Sequence, residues 1–248
     1  ALLFFWLNGI GPPQIDPHTI PDQKFQSLLQ ESKKYGFQIY CLNTTLDTGI
    51  PSFHIVIRDP SGHIPRLAIG GSCHSNPLKA IFKAAEEAWG MYYGLRNLIK
   101  THPFFILQES YMPFIDQSID KTKRKLLWAN PDMEPRFSFF LAGAQIPFDH
   151  RAFPHPHQFV SDEQELTHVI QTIEHLGPGY EVYAHEVSHP FLKKISYTVA
   201  RVIIPRLTPL YLRESAAPLG APRIREVLPH IGAASRNQSL NPIPHPFP

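Results

Sequence analysis

"IGGSCHSNPLKAIFKAAEEAWGMYYGLRNLI", residues 69–99, decides the fold class more firmly than any other stretch. Ser75 or Asn76 can cap a helix, Pro77 suits its first turn, and Ala80, Ile81, Ala84, Ala85 and Ala88 recur at helical spacing as a small, close-packing stripe. A long helix is predicted here, entered from a glycine-rich turn. Upstream, Phe25, Leu28 and Leu29 mark a helix over 22–35 that stops at Gly36. "FQIYCLN" (37–43) and "SFHIVIRD" (52–59) then read as strands, the second with Phe53, Ile55 and Ile57 alternating with Ser52, His54 and Val56.

Downstream, residues 101–160 show no period, because proline, aromatic residues and scattered charge interrupt it; one short helix is predicted near "KTKRKLLWA" (121–129). "EQELTHVIQTIEHLG" (163–177) is a further helix with a glycine end, and strands are predicted at 180–187 and 196–205. Helix, glycine, strand and strand thus occur twice, at 22–57 and 163–204, which suggests two related units of a mixed α/β (α+β) helix/sheet sandwich.

Bulk properties exclude several classes. Twenty-three basic against twenty-one acidic residues leave a net charge of +2, so no electrostatic footprint for nucleic acid or an anionic membrane dominates. Two cysteines, Cys41 and Cys73, are too few for a disulfide framework and fit a reducing, cytoplasmic location. The apolar run "ALLFFWLNG" (1–9) is too short to span a bilayer and lacks a basic flank, so it reads as an element entered partway, with natural sequence expected before Ala1. Proline is the outlier at 26 of 248 residues, about twice the usual 5%.

Five local features could carry chemistry. Gly70, Gly71 and Ser72 ahead of a helix could cradle an anion, although a tight turn needs glycine in any case. Glu86 and Glu87 point about 100° apart on a helix, so at most one faces a given site; that one could hold Mg²⁺, the other reading being a solvated charged face. His150, His155 and His157 match no zinc spacing and fit a surface loop, and "KTKRK" (121–125) fits a solvated face better than a phosphate site. The tail "NPIPHPFP" (241–248) favours stiff polyproline II, which would deliver the ionised α-carboxylate of Pro248 to a fixed place; a proline-rich ligand or a loose end is the alternative.

Taken together, "LNTTLDTGIPSFHIVI" (42–57), "IGGSCHSNPLKAIFKAAEEAW" (69–89), "VARVIIPRLTPLYL" (199–212), "LGAPRIREV" (219–227) and the terminal "PHPFP" resemble the YcaO-domain family, specifically its azoline-forming cyclodehydratases. The resemblance implies one YcaO-like domain over 1–248 lacking its N-terminal part, with a variable insertion at 101–160 and a proline-rich tail at 238–248. It implies ATP- and Mg²⁺-dependent conversion of Cys, Ser or Thr of a ribosomally made precursor peptide to thiazoline or oxazoline, as in bacteriocin biosynthesis. Pro248 is then the catalytic carboxylate, Glu87 the ligand of Mg²⁺ and ATP, and Gly71, Ser72 and Arg223 neighbours of the nucleotide. Implied partners are the precursor peptide, a leader-peptide-binding protein, a flavin dehydrogenase and a second copy in a homodimer, with no nucleic acid or membrane. Two departures stand out: Gly90 and Tyr92 occupy places where the family carries glutamine and arginine, and the family's upstream glutamate-and-arginine helix, with its share of the Mg²⁺ and ATP ligands, is expected ahead of Ala1 rather than within this sequence. Gly90 and Tyr92 favour the competing expectation, a non-catalytic scaffold or peptide-docking subunit, and the intact tail opposes it.

Overall fold

The computed structural model describes residues 1–153, 158–232 and 239–247. They fall into two compact units, Ala1–Gln158 with Leu210–Pro248, and Phe159–Pro209. The helices are α1 (Leu2–Leu7), α2 (Gln23–Lys34), α3 (Pro77–Leu98), α4 (Lys121–Ala129), α5 (Glu134–Phe137), α6 (Asp162–Glu174), α7 (Pro190–Lys194) and α8 (Arg223–Glu226). The strands are β1 (Gln14–Ile15), β2 (Gln38–Asn43), β3 (Ser52–Arg58), β4 (Leu67–Cys73), β5 (Gln145–Ile146), β6 (Tyr183–Glu186) and β7 (Ala200–Ile203).

The larger unit is built on a five-stranded sheet in the order β4-β3-β2-β1-β5, antiparallel except where β5 joins β1 in parallel. Strand β3, between β4 and β2, is buried on both faces. Phe53, Ile55 and Ile57 meet the alanine stripe of α3 on one side, while Val56 meets Trp6, Leu127, Trp128 and Phe140 on the other. Each fully buried large apolar side chain stabilises the unit by about 1.5–3 kcal/mol. Helix α1 has no polar face at all, and all six of its residues are buried, as a helix apolar all round must be.

Helix α3 starts where the sequence predicts. The Asn76 side chain accepts the N–H groups of Leu78 and Lys79, and Pro77 follows at the first helical position. The glycines before it do not form the predicted turn, however; Gly70, Gly71 and Ser72 lie inside strand β4. Close packing explains the difference. A Cβ on Gly70 would sit 2.1 Å from the Ala88 nitrogen and 2.6 Å from the Ala84 oxygen, so α3 rests directly on the β4 backbone. Gly70→Ala must push helix and strand apart, and should cost about 3 kcal/mol, the upper end for overpacking, in urea unfolding. A loss well under 1 kcal/mol would contradict this packing.

Within 101–160, where the sequence suggests a variable insertion, residues 121–153 contribute to the core of the larger unit. Here β5 extends the sheet, Phe137 and Phe140 are buried, and α4 carries Leu127 and Trp128 inward. The basic run of α4 is split: Arg124 is buried, whereas Lys123 lies over the Phe105 ring. His155 and His157 fall outside the described residues.

The smaller unit carries α6, capped by Ser161, then Gly177 at φ +108°, and the antiparallel pair β6–β7. The order α2-β2-β3 thus recurs as α6-β6-β7 with the short α7 set between the two strands, in a mixed α+β fold. The repeat is one of order only. Both faces of β6 and β7 are exposed, unlike those of β3.

Candidate functional site

Register places the site. In the β3–β4 ladder His54 stands opposite Gly71 and Phe53 opposite Ser72. The Gly71 N–H donates to Glu87 Oε2 at 2.6 Å, so a main-chain donor orients the carboxylate of an exposed residue of α3. Sequence reasoning named both residues but for separate reasons, and the structure joins them. Ser72 is next in the strand, half-buried.

Beneath Gly71 lies His54, so close that a Cβ on Gly71 would meet its Nε2 at 2.1 Å. Its Nδ1 is 3.0 Å from Thr44 Oγ1, which also lies 3.0 Å from Ser52 Oγ. Burial pushes the His54 pKa down to about 3, so the ring is neutral. A polar histidine inside the apolar run of residues 53–57 was the signal that could have marked this position.

Against the same ring lies the tail. Phe247 is buried, with its ring centroid 6.1 Å from that of His54. Three donors hold the preceding carbonyls: Tyr111 Oη on Pro242 O (3.2 Å), Trp6 Nε1 on Ile243 O (2.8 Å) and Trp128 Nε1 on Pro244 O (2.9 Å). Asn241 N–H also donates to Leu7 O at 2.7 Å. A proline-rich segment has few donors of its own and no internal ladder, so its carbonyls must be met from outside once buried. Pro248 itself lies outside the described residues. Up to Phe247 the tail is docked.

The two adjacent glutamates diverge as helix geometry requires. Glu86 borders a cavity of about 940 Å³ between α2 and α3, with Lys24, Tyr35, Trp89 and Tyr93. Glu87 turns to β4 instead. Gly90, one turn beyond Glu87, is exposed with open space where a Cβ would stand. Tyr92 is buried, and its hydroxyl donates to Asp59 Oδ2 at 2.9 Å, which with burial raises its pKa to about 12.

Arg223 is buried at the start of α8. Both of its terminal nitrogens bond the Asp47 carboxylate, Nη1 at 2.9 Å, and its guanidinium lies over the Phe4 ring. Its partner is therefore the loop between β2 and β3.

Among the described residues no three His, Cys, Asp or Glu side chains gather to hold a metal ion. Glu87 alone still fits Mg²⁺ in a nucleotide site, where one or two carboxylates suffice and phosphate oxygens and water fill the other positions. Its Oε2 is held by the Gly71 amide, and its side chain is exposed.

The comparisons agree with this architecture. A heterocyclase solved in complex with substrate and cofactor is 20% identical at TM-score 0.71, the match covering 98% of this chain and 29% of that one. The heterocyclase TruD is 21% identical at TM-score 0.67, covering 99% and 30%. YcaO from Methanopyrus kandleri, bound with AMPPCP and Mg²⁺, is 11% identical at TM-score 0.53, covering 89% and 51%. The chain therefore spans under a third of the length of the two heterocyclases. No curated protein matches it significantly. No described helix is long and apolar enough to cross a membrane. The model of the YcaO cyclodehydratases, described as ATP- and Mg²⁺-binding, matches residues 1–208, and on that match the chain belongs to the YcaO family.

Proposed function

We propose that this chain is the part of an ATP- and Mg²⁺-dependent peptide cyclodehydratase that carries Glu87 and the C-terminal tail, and that it turns Cys, Ser or Thr of a precursor peptide into thiazoline or oxazoline. The observation that carries the reading is the docked tail, with Phe247 on His54, and His54 beneath the glycine that holds Glu87. The family's description and the heterocyclase neighbours support it.

In such a reaction the substrate side chain attacks the preceding amide carbonyl, and that amide's oxygen must leave. ATP, when bound, supplies the phosphoryl group that makes the oxygen a leaving group. The chain's own residues do the rest. Glu87, oriented by the Gly71 N–H, would hold Mg²⁺ and so position the nucleotide, with Ser72 beside it. The Pro248 carboxylate, ionised at neutral pH, would take the proton of the attacking thiol or hydroxyl. Arg223 acts at a remove, by fixing the 47–50 loop through Asp47. The precursor peptide is the substrate, a leader-peptide-binding protein presents it, and a flavin dehydrogenase would oxidise the product in the cytoplasm.

Appending one glycine after Pro248 in the full-length protein moves the carboxylate without touching the docked segment. Heterocyclisation, followed as loss of one water per ring by mass spectrometry, should fall by about 10²–10⁴-fold, the usual worth of a general base. An unchanged rate would refute catalysis by the terminus. Gly90 and buried Tyr92 favour the scaffold reading, which requires instead that the full-length protein bind no ATP at all.

A further inference from the structure

The three donors from Tyr111, Trp6 and Trp128 all meet main-chain oxygens, which any sequence would present. They fix how deep the tail lies but not how it is rotated about its length. Rotation is fixed by His245. That residue is 0% exposed. Its Nε2 is 2.9 Å from Tyr211 O, and its Nδ1 accepts the Phe247 N–H at 3.3 Å. A carbonyl can only accept, so Nε2 carries the proton; an amide N–H can only donate, so Nδ1 is bare. The ring is thus neutral in one tautomer. It stacks on Phe247 with centroids 5.2 Å apart at 16°, and meets Tyr211 edge-on at 4.6 Å.

Behind this contact stands a buried ion pair. The Tyr211 carbonyl also accepts from Arg124 Nη1 at 3.3 Å, and Arg124 Nη2 lies 3.0 Å from Glu214 Oε1, with both side chains at most 1% exposed. Tyr111, which reaches Pro242 O, also lies 3.4 Å from Glu214 Oε2. The carbonyl that receives His245 is therefore itself held rigidly.

We infer that His245 is the positioning residue of the tail: its neutral ring, pinned to the Tyr211 carbonyl, sets the direction of the Phe247 amide, and with it the Phe247 ring on His54, so that the chain end is delivered in one orientation. The inference rests on the reading that the terminus acts at the Glu87 site. It adds a residue whose effect runs through the tail, by way of Tyr211 and Phe247.

Three variants of the full-length protein separate its two bonds. His245→Ala removes both, His245→Gln can still donate to Tyr211 O, and His245→Asn can still accept from Phe247 N–H. For His245→Ala, kcat should fall about 10²-fold with KM for peptide and ATP unchanged, the effect of a misplacement near 1 Å. Gln and Asn should each recover part of it. Wild-type kcat in His245→Ala overturns the inference, and so does an equal fall in all three. Should the variants fold poorly, ¹⁵N spectra of the wild-type imidazole decide: a neutral Nε2–H ring at pH 6 is expected, and a protonated or Nδ1–H ring refutes it. The groups facing the ring in that measurement are Arg124, Tyr211 and, through Arg124, Glu214. The glycine extension keeps the two claims apart. If it is harmless, the catalytic reading fails whatever His245 does; if it is damaging while His245→Ala is not, only the positioning role fails.

Discussion

Glu214→Ala should lower the stability of the protein by about 3–5 kcal/mol, the cost of leaving one partner of a buried ion pair uncompensated. Arg124 is 1% exposed and cannot shed its charge, so without Glu214 its guanidinium keeps only the Tyr211 carbonyl and the face of the Tyr211 ring. Its Nε already has no partner among the described residues. Burial raises the Glu214 pKa even against Arg124, which says that desolvation consumes much of what the pair gains. Removing both charges should therefore hurt far less than removing one. Arg124→Met with Glu214→Leu is expected to lie within about 1–2 kcal/mol of the wild type. Urea midpoints of the single and double variants test this, and a single-variant loss no larger than the ~1 kcal/mol of a surface pair would refute it.

The second large effect is acid sensitivity. His54 and His245 both have pKa values pushed down to about 3, in each case mainly by burial. In the unfolded chain each binds a proton near pH 6.5; in the fold neither does until far lower. Stability from these rings is thus complete above pH 6.5 and lost as pH falls from there toward 3. The expected slope is about 1.4 kcal/mol per pH unit for each ring, or about 2.7 for the two. At pH 5 the protein should be less stable than at pH 7 by about 4 kcal/mol on that slope. Replacing either histidine with glutamine should halve the dependence. A flat urea midpoint between pH 7 and pH 5 would show that the rings are not buried neutral.

How much of this could be read in advance depended on range. Asn76, Pro77 and the alanine stripe announce α3 because a cap and a helical face are local, and the alternation of Phe53, Ile55 and Ile57 announces β3 likewise. Strand β4 escaped notice because "AIGG" carries no alternating face; its glycines answer to the backbone of α3, which no window of strand sequence contains. The two-residue strands β1 and β5 are too short to show a period, and meet across about 130 residues. At the site, Glu87 and Gly71 were legible as residue types, while their bond depended on strand register. His54, His245, Arg124 and Glu214 were not singled out. Their roles come from partners on other elements, and the seat of the tail is assembled from Trp6, Tyr111, Trp128 and Tyr211.

The seat of Ile243 has a consequence for how the protein is made. Trp6 emerges from the ribosome long before Ile243, since 237 residues separate them. At roughly 5–20 residues per second, synthesis keeps the indole waiting about 12–47 s for its acceptor. During that interval the apolar helix that carries it has no finished cover, a state that invites association with other nascent chains. Completion of the core therefore waits on a stretch made 237 residues later, and chaperone supply during expression should govern yield more than the stability of the finished protein does.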